Sequence, residues 1–160
     1  MSESDAFPGL MREWVRQSTR LSMSGMMRFA RDAGISMAQI GALATIHHRG
    51  WVGVVELGNI LHVSSAAASQ ILDKLVVRGY VTRMEKPEDR RQKVVAVTEA
   101  GKRLLAQSMA ARQEWVDSLE DLLSREEKDS ISASISILLR ALGNVSASSR
   151  TPGCLGQEPL

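Results

Sequence analysis

At 160 residues, 44% apolar and 24% charged, the chain is long enough for one domain to bury a core without disulfides or metals, and its composition is that of an ordinary globular protein. A net charge of +2 is too small to name a partner, and a single cysteine, Cys154, excludes a disulfide framework or a multi-cysteine metal site. No apolar run approaches the ~18–20 residues of a membrane span and the first residues carry no basic leader, so a reducing cytoplasm is the expected compartment.

Leu10, Trp14, Ser18, Leu21, Gly25 and Phe29 recur every three or four residues, the period of an amphipathic helix that ends near Ala33-Gly34. Ser36 caps a second helix with Ile40, Leu43, Ala44 and Ile46 on its apolar face and Gly50 as its stop. A short third helix follows from about Val54 to Leu61. Only His62 and Val63 separate it from a fourth, capped by Ser64, which presents Ala68, Ile71, Leu72 and Leu75 and closes at Gly79. That short connection is the mark of a helix-turn-helix.

The period then changes. Tyr80 to Met84 alternates, Glu85 to Arg91 is polar around the turn-forming Pro87, and Val94 to Val97 is apolar again, which reads as a two-stranded hairpin with a charged tip. Thr98 caps a fifth helix carrying Leu104, Leu105, Met109, Trp115, Val116, Leu119 and Leu122. Ser124-Arg125-Glu126-Glu127 opens a sixth as a capping box, with Ile131, Ile135, Leu138, Leu139 and Leu142 along it. From Asn144 to Leu160 the chain is rich in Ser, Gly and Pro, and is expected to be a disordered tail.

The expected fold is therefore mainly α with a small β-hairpin wing: a winged helix-turn-helix domain with long N- and C-terminal helices for dimerisation. The boundaries are an N-terminal dimerisation helix over 1–34 and a winged domain over 35–99, its recognition helix at 64–78 and its wing at 80–97. Dimerisation helices over 100–143 and the tail over 144–160 complete the chain.

The fourth helix opens Ser64-Ser65-Ala66-Ala67-Ala68-Ser69-Gln70, with no charge before Asp73. Small hydroxyl, amide and methyl groups suit close approach to base edges in a major groove, where Gln pairs with adenine and Ala meets the thymine methyl. An alanine-rich helix of high intrinsic propensity reads the same way. From Asp73 to Arg103 nine basic residues face five acids, a local +4 that leaves the remainder at −2. Basic charge thus gathers on the recognition-helix end and the hairpin, where phosphate binding needs it.

These stretches together resemble the MarR (multiple antibiotic resistance regulator) family of bacterial transcription factors. The resemblance rests on Arg78-Gly79-Tyr80-Val81, then Pro87-Glu88-Asp89-Arg90-Arg91, then Val97-Thr98-Glu99-Ala100-Gly101. It spans Leu57 to Leu105, and the helix order extends it from about Leu10 to Leu142. It implies a homodimer on pseudo-palindromic double-stranded DNA, acting as a repressor or an activator, with repressor preferred. Ser64, Ser65, Ala66, Ser69, Gln70 and Lys74 would face bases and phosphates, and Arg90 or Arg91, with Arg91 preferred, would enter the minor groove. Asp89 would hold that arginine, and Asp73 would bridge the fourth helix to the wing. Two residues depart from the family pattern: Lys86 stands where an acid is usual, and Gln70 where an arginine is common.

Relatives of this family bind small aromatic or anionic effectors beside the dimer helices. Arg16, Arg20, Met23 and Met27 on one face of the first helix, with His47 near, are the candidates here, although a methionine stripe also serves as plain core. No cofactor is expected. Three histidines without helical ligand spacing make a metal site improbable, and Cys154 lies away from any sensor cleft. Enzyme motifs are missing: there is no Gly-x-Ser-x-Gly elbow, no phosphate-binding glycine loop and no His-Glu-x-x-His. The competing reading is a winged-helix module that docks on protein without sequence-specific DNA binding, which would have no use for the Arg90-Arg91 pair. A third is a DNA binder that answers to no effector.

Overall fold

The computed structural model describes residues 3–86 and 89–148, with side chains described for 6–85 and 93–144. Pro87, Glu88 and everything beyond Ser148, Cys154 included, lie outside the described residues. In order come α1 (Glu3–Asp32), α2 (Met37–Arg49), β1 (Trp51–Val52), α3 (Val54–Leu61), α4 (Ser65–Val77), β2 (Val81–Lys86), β3 (Asp89–Val97), α5 (Glu99–Leu122) and α6 (Arg125–Ser148). Two compact units divide within α5, Met1–Val116 and Asp117–Leu160.

In the first unit, α1 stops where the sequence places a glycine. Gly34 takes φ 61°, so the Ile35 amide reaches the Ala30 carbonyl at 2.9 Å and the Gly34 amide reaches Arg31 at 3.1 Å. These satisfy carbonyls that a helix end otherwise leaves open. Ser36 then starts α2 with a reciprocal capping box: its hydroxyl accepts from the Gln39 amide at 3.2 Å, and its own amide donates to Gln39 Oε1 at 2.8 Å. The turn from α3 to α4 runs through His62, which adopts φ 54° without being a glycine. A Cβ on Gly58 would stand 3.1 Å from the Val63 carbonyl and 3.6 Å from Ala68 Cβ, so the missing side chain is what lets α3 and α4 cross closely.

Leu43, Ile46, Val52, Leu57, Leu72 and Leu75 are fully buried and form the centre of the core, drawn from α2, β1, α3 and α4. Of the expected α2 face, Ile40, Leu43 and Ile46 are inside, whereas Ala44 is exposed.

The wing is part of a three-stranded antiparallel sheet in the order β1-β3-β2, not a lone hairpin. Val81 pairs with Val97 and Met84 with Val94, and the register is irregular between Glu85 and Lys86. β1 adds Trp51 opposite Ala96 and Val52 opposite Val95. Two residues have no period to read, so this strand was invisible in the pattern.

In the second unit, Ser124 and Glu127 form the expected capping box: the Ser124 amide donates to Glu127 Oε2 at 2.9 Å and the Glu127 amide to Ser124 Oγ at 3.3 Å. α6 then continues to Ser148, five residues into the segment expected as tail. The correction has a simple cause. Asn144-Val145-Ser146-Ala147-Ser148 contains neither Gly nor Pro, and Gly143 lies in open helix where a glycine costs only about 1 kcal/mol.

The hydrogen bond from the Ser124 amide holds the Glu127 carboxyl below its usual range. Its depressed pKa means that the cap contributes above the unfolded-state value and is lost as pH falls through the folded one. Carbon-detected NMR titration should place Glu127 below the ordinary glutamate midpoint, and Glu127→Gln should abolish the shift of the Ser124 amide resonance that accompanies that titration. A normal midpoint in the wild type would remove the cap.

Candidate nucleic-acid interface

α4 is pinned to the core by Ala68, Leu72 and Leu75, which decides the face it turns outward. Ser64 accepts from the Ala67 amide at 3.2 Å and starts the helix, so this hydroxyl is engaged in capping. Ser65, Ala66, Gln70 and Lys74 are exposed, while Ser69 is half-buried on the flank. At 100° per residue, Ala66, Gln70, Asp73 and Val77 fall opposite the buried stripe, with Lys74 beside them. Val77 is 87% exposed, and the sequence reading passed over it. Its spacing of seven from Gln70 and eleven from Ala66 was the available signal.

Asp73 accepts a hydrogen bond from Arg83 Nη2, which joins α4 to the first strand of the wing. Both side chains are about half exposed, so the pair should add less than about 1 kcal/mol to stability. What the contact supplies is a side-chain tie between α4 and the first strand of the wing. Asp73→Asn is accordingly expected to leave the melting midpoint within about 3 °C of wild type while weakening DNA binding. A large loss of stability would make the pair structural instead.

Charge on the wing is partly spoken for. Lys93 pairs with Glu85 at 2.9 Å across the strands, and Lys102 with Glu99 at 2.7 Å at the start of α5. With Arg83, three of the nine basic residues between Asp73 and Arg103 have acidic partners among the described residues. The side chains of Asp89, Arg90 and Arg91 lie outside those described; their backbone forms the start of β3, with Asp89 opposite Lys86.

The effector candidates divide. Arg20, Met23 and Met27 share an open cleft of about 680 Å3 on α1, together with Ser24, Arg28 and Arg31. Met27 is 57% exposed and is not core, whereas its neighbour Met26 packs against the core. Arg16 does not line the cleft. It forks onto Glu13 at 2.6 and 2.8 Å, and that contact draws the Glu13 carboxyl down to about 2. His47 is exposed near the end of α2 and is likewise absent from the cleft wall. A second concavity, about 980 Å3, lies at the start of α3 with Arg49, Trp51, Val55 and Asn59 in its wall, away from every residue expected from sequence. Among the described residues no group of three His, Cys, Asp or Glu is placed to hold a metal, and no single helix is long and apolar enough to cross a membrane.

Residues 35–93 match the sequence model of the MarR family. The HTH-type transcriptional regulator YfiV of Bacillus subtilis is 32% identical over 133 residues, covering 82% of this chain and 83% of that protein. The chain belongs to the MarR family. Its members are transcription regulators that bind DNA through a winged helix-turn-helix, and not a class of enzyme.

Solved structures agree on the fold. The multiple antibiotic-resistance repressor (MarR) from Listeria monocytogenes superposes with a TM-score of 0.76 at 15% identity, covering 89% of this chain and 99% of that one. A mutant of S. aureus MepR bound to oligodeoxyribonucleotide gives 0.58 at 19% identity, with the same coverage. In the MarR-family frame, α3 and α4 are the helix-turn-helix, and β2 and β3 the wing.

Proposed function

We propose that the protein is a homodimeric, sequence-specific repressor that binds a pseudo-palindromic operator and is released by a small aromatic or anionic effector. One observation carries the reading: the outward face of α4 offers Ala66, Gln70 and Lys74, and Asp73 ties that same helix to the strand leading into the Arg90-Arg91 wing. A helix in the major groove and an arginine in the adjacent minor groove need this fixed relation. The S. aureus relative's oligodeoxyribonucleotide complex supports DNA as the partner.

Dimerisation is argued separately in each unit. On α1, Phe7, Leu10, Trp14 and Leu21 are exposed along one face, and on α6 so are Ile131, Ile135, Leu139 and Leu142. Apolar rows of that length belong against another surface. A second copy would also set two recognition helices one DNA turn apart, ~34 Å. The winged domain (35–99) then reads DNA, and the helices before and after it (1–34 and 100–143) hold the dimer, in the cytoplasm where the operator lies.

For the effector, the α1 cleft combines the polarisable Met23 and Met27 with the cation of Arg20, a fit to a flat aromatic acid. Effector release requires that such a ligand bind one arrangement of the dimer more tightly than the other. Aromatic carboxylates should therefore raise the melting midpoint and weaken operator binding together; a rise without weakening would mark a ligand with no regulatory coupling.

Val77 favours a second reading, since an exposed valine at the end of the recognition face would also suit a protein-docking module. Fluorescence anisotropy with DNA from the protein's genomic neighbourhood, at two salt concentrations, separates the two. The repressor reading expects nanomolar binding to one palindrome over scrambled duplex. Equal, weak binding to every duplex would put the docking module first.

A further inference from the structure

The C-terminal end of α4 is gripped by two helices that the groove-facing residues do not involve. Arg78 follows the last turn of α4, and its Nη1 donates to the Ala33 carbonyl at 3.4 Å, just past the end of α1. Its guanidinium lies over Gly34, where a Cβ would stand 3.6 Å from Nη2. A cation there meets the negative end of the α1 dipole. From the other side, Thr98 Oγ1 donates to the Gly79 carbonyl at 2.6 Å and the Thr98 amide to the Tyr80 carbonyl at 3.0 Å. α5 begins so close to this turn that a Cβ on Gly101 would be 2.2 Å from the Tyr80 oxygen.

These two attachments differ in stiffness. The α5 junction is short and sterically tight. Between it and α4 lies Gly79 at φ 71°, in a turn closed by backbone bonds from the Gly79 amide to the Val76 carbonyl and from the Tyr80 amide to the Leu75 carbonyl, both 2.9 Å. The Arg78 bond ties this same corner to the end of α1. α1 and α5 are themselves locked together by Trp115 Nε1 to Ser22 Oγ at 3.1 Å and by Arg28 to Glu114 at 2.7 Å.

We infer that Arg78 is a positioning residue: by holding the Ala33 carbonyl it sets the angle at which α4 leaves the α1–α5 pair, and hence the separation of the two recognition helices, without touching DNA. This rests on the dimer-on-palindrome reading above. The test uses the full chain and three duplexes: the operator, the operator with two base pairs inserted at its centre, and a random sequence. Arg78→Met keeps the apolar stem and removes the donors.

Wild type is expected to prefer the natural spacing by about a hundredfold. Arg78→Met should reduce that preference by about tenfold or more, while random-duplex affinity and its salt slope stay at wild-type values. Arg78→Lys, which returns a cation to the end of α1, should recover part of the preference. Should the methionine variant melt well below wild type, Arg78→Lys carries the comparison alone, and is expected to sit between wild type and no preference. An undiminished preference in a folded variant overturns the inference. So does a uniform loss on every duplex with the salt slope lowered by about one, which would make Arg78 a phosphate contact. A wild type indifferent to spacing overturns the dimer-on-palindrome reading and this inference with it, before any variant is compared.

Discussion

Gly25→Ala is expected to lower the stability of the protein by about 3 kcal/mol or more, a fall in melting midpoint of about 6–12 °C by thermal or calorimetric unfolding. Helix propensity alone says the reverse, because alanine is favoured over glycine by about 1 kcal/mol in a helix interior. Sterics decide the sign. A Cβ on Gly25 would stand 2.0 Å from the Ala111 carbonyl oxygen and 3.1 Å from its carbon. Those are backbone atoms of α5, which cannot rotate away as a side chain could. The two helices must separate, and with them the Trp115–Ser22 hydrogen bond and the Arg28–Glu114 pair. Gly41→Ala is the matched control. That glycine also lies inside a helix, but nothing is within 4 Å of its Cβ position, so the substitution should stabilise by about 0.5–1 kcal/mol. Equal effects at the two positions would mean that α1 and α5 do not cross closely at Gly25.

The second large effect concerns DNA. Replacing Arg90 and Arg91 together by alanine should cost about 2–5 kcal/mol of operator binding, roughly thirtyfold to several-thousand-fold in Kd. Two terms contribute. Each arginine released from the phosphates removes about one unit from the slope of log K against log salt, so the double variant should lose about two. An arginine in a narrow A·T minor groove adds an attraction that other sequences lack, so the loss should be larger on the operator than on random duplex. Arg125→Ala, at the first position of α6, removes one positive charge elsewhere and should leave both slope and preference unchanged. Anisotropy titrations at several salt concentrations measure all of this. An unchanged slope in the double variant would remove the wing from the DNA contact.

Most of the winged domain was legible in the sequence because its elements announce themselves locally. Ser36, Ser64, Thr98 and Ser124 each precede a helix and each accepts the capping hydrogen bond expected of it. Leu43, Leu72 and Leu75 follow the helical period into the core. What was missed depends on contacts between residues far apart in the chain. β1 exists because Val95 and Ala96 are there to pair with it. Gly25 falls by its spacing on the packing face of α1 and Gly101 in the stretch that carries the family resemblance, but only the backbones of Ala111 and Tyr80 show why each is a glycine. Val77 looked like one more apolar residue near the end of α4, and its exposure follows from which face Leu72 and Leu75 bury. Arg16 and His47 looked like neighbours of the methionine stripe by position, yet Glu13 claims the first, and neither belongs to the cleft wall.

The two residues of β1 also change what kind of mechanical object the wing is. A free hairpin on a flexible stalk would yield to a groove and report nothing to the body of the protein. Here the inner strand is clamped at its root between β2 and β1, opposite Trp51 and Val52, so the wing behaves as a beam fixed at one end. Force applied at its tip passes along β3 to β1, which directly follows α2 and directly precedes α3. In the proposed DNA complex, groove width met by the wing would act through β3 on the segment between α2 and α3, and the same pairing would let the helix-turn-helix aim the wing.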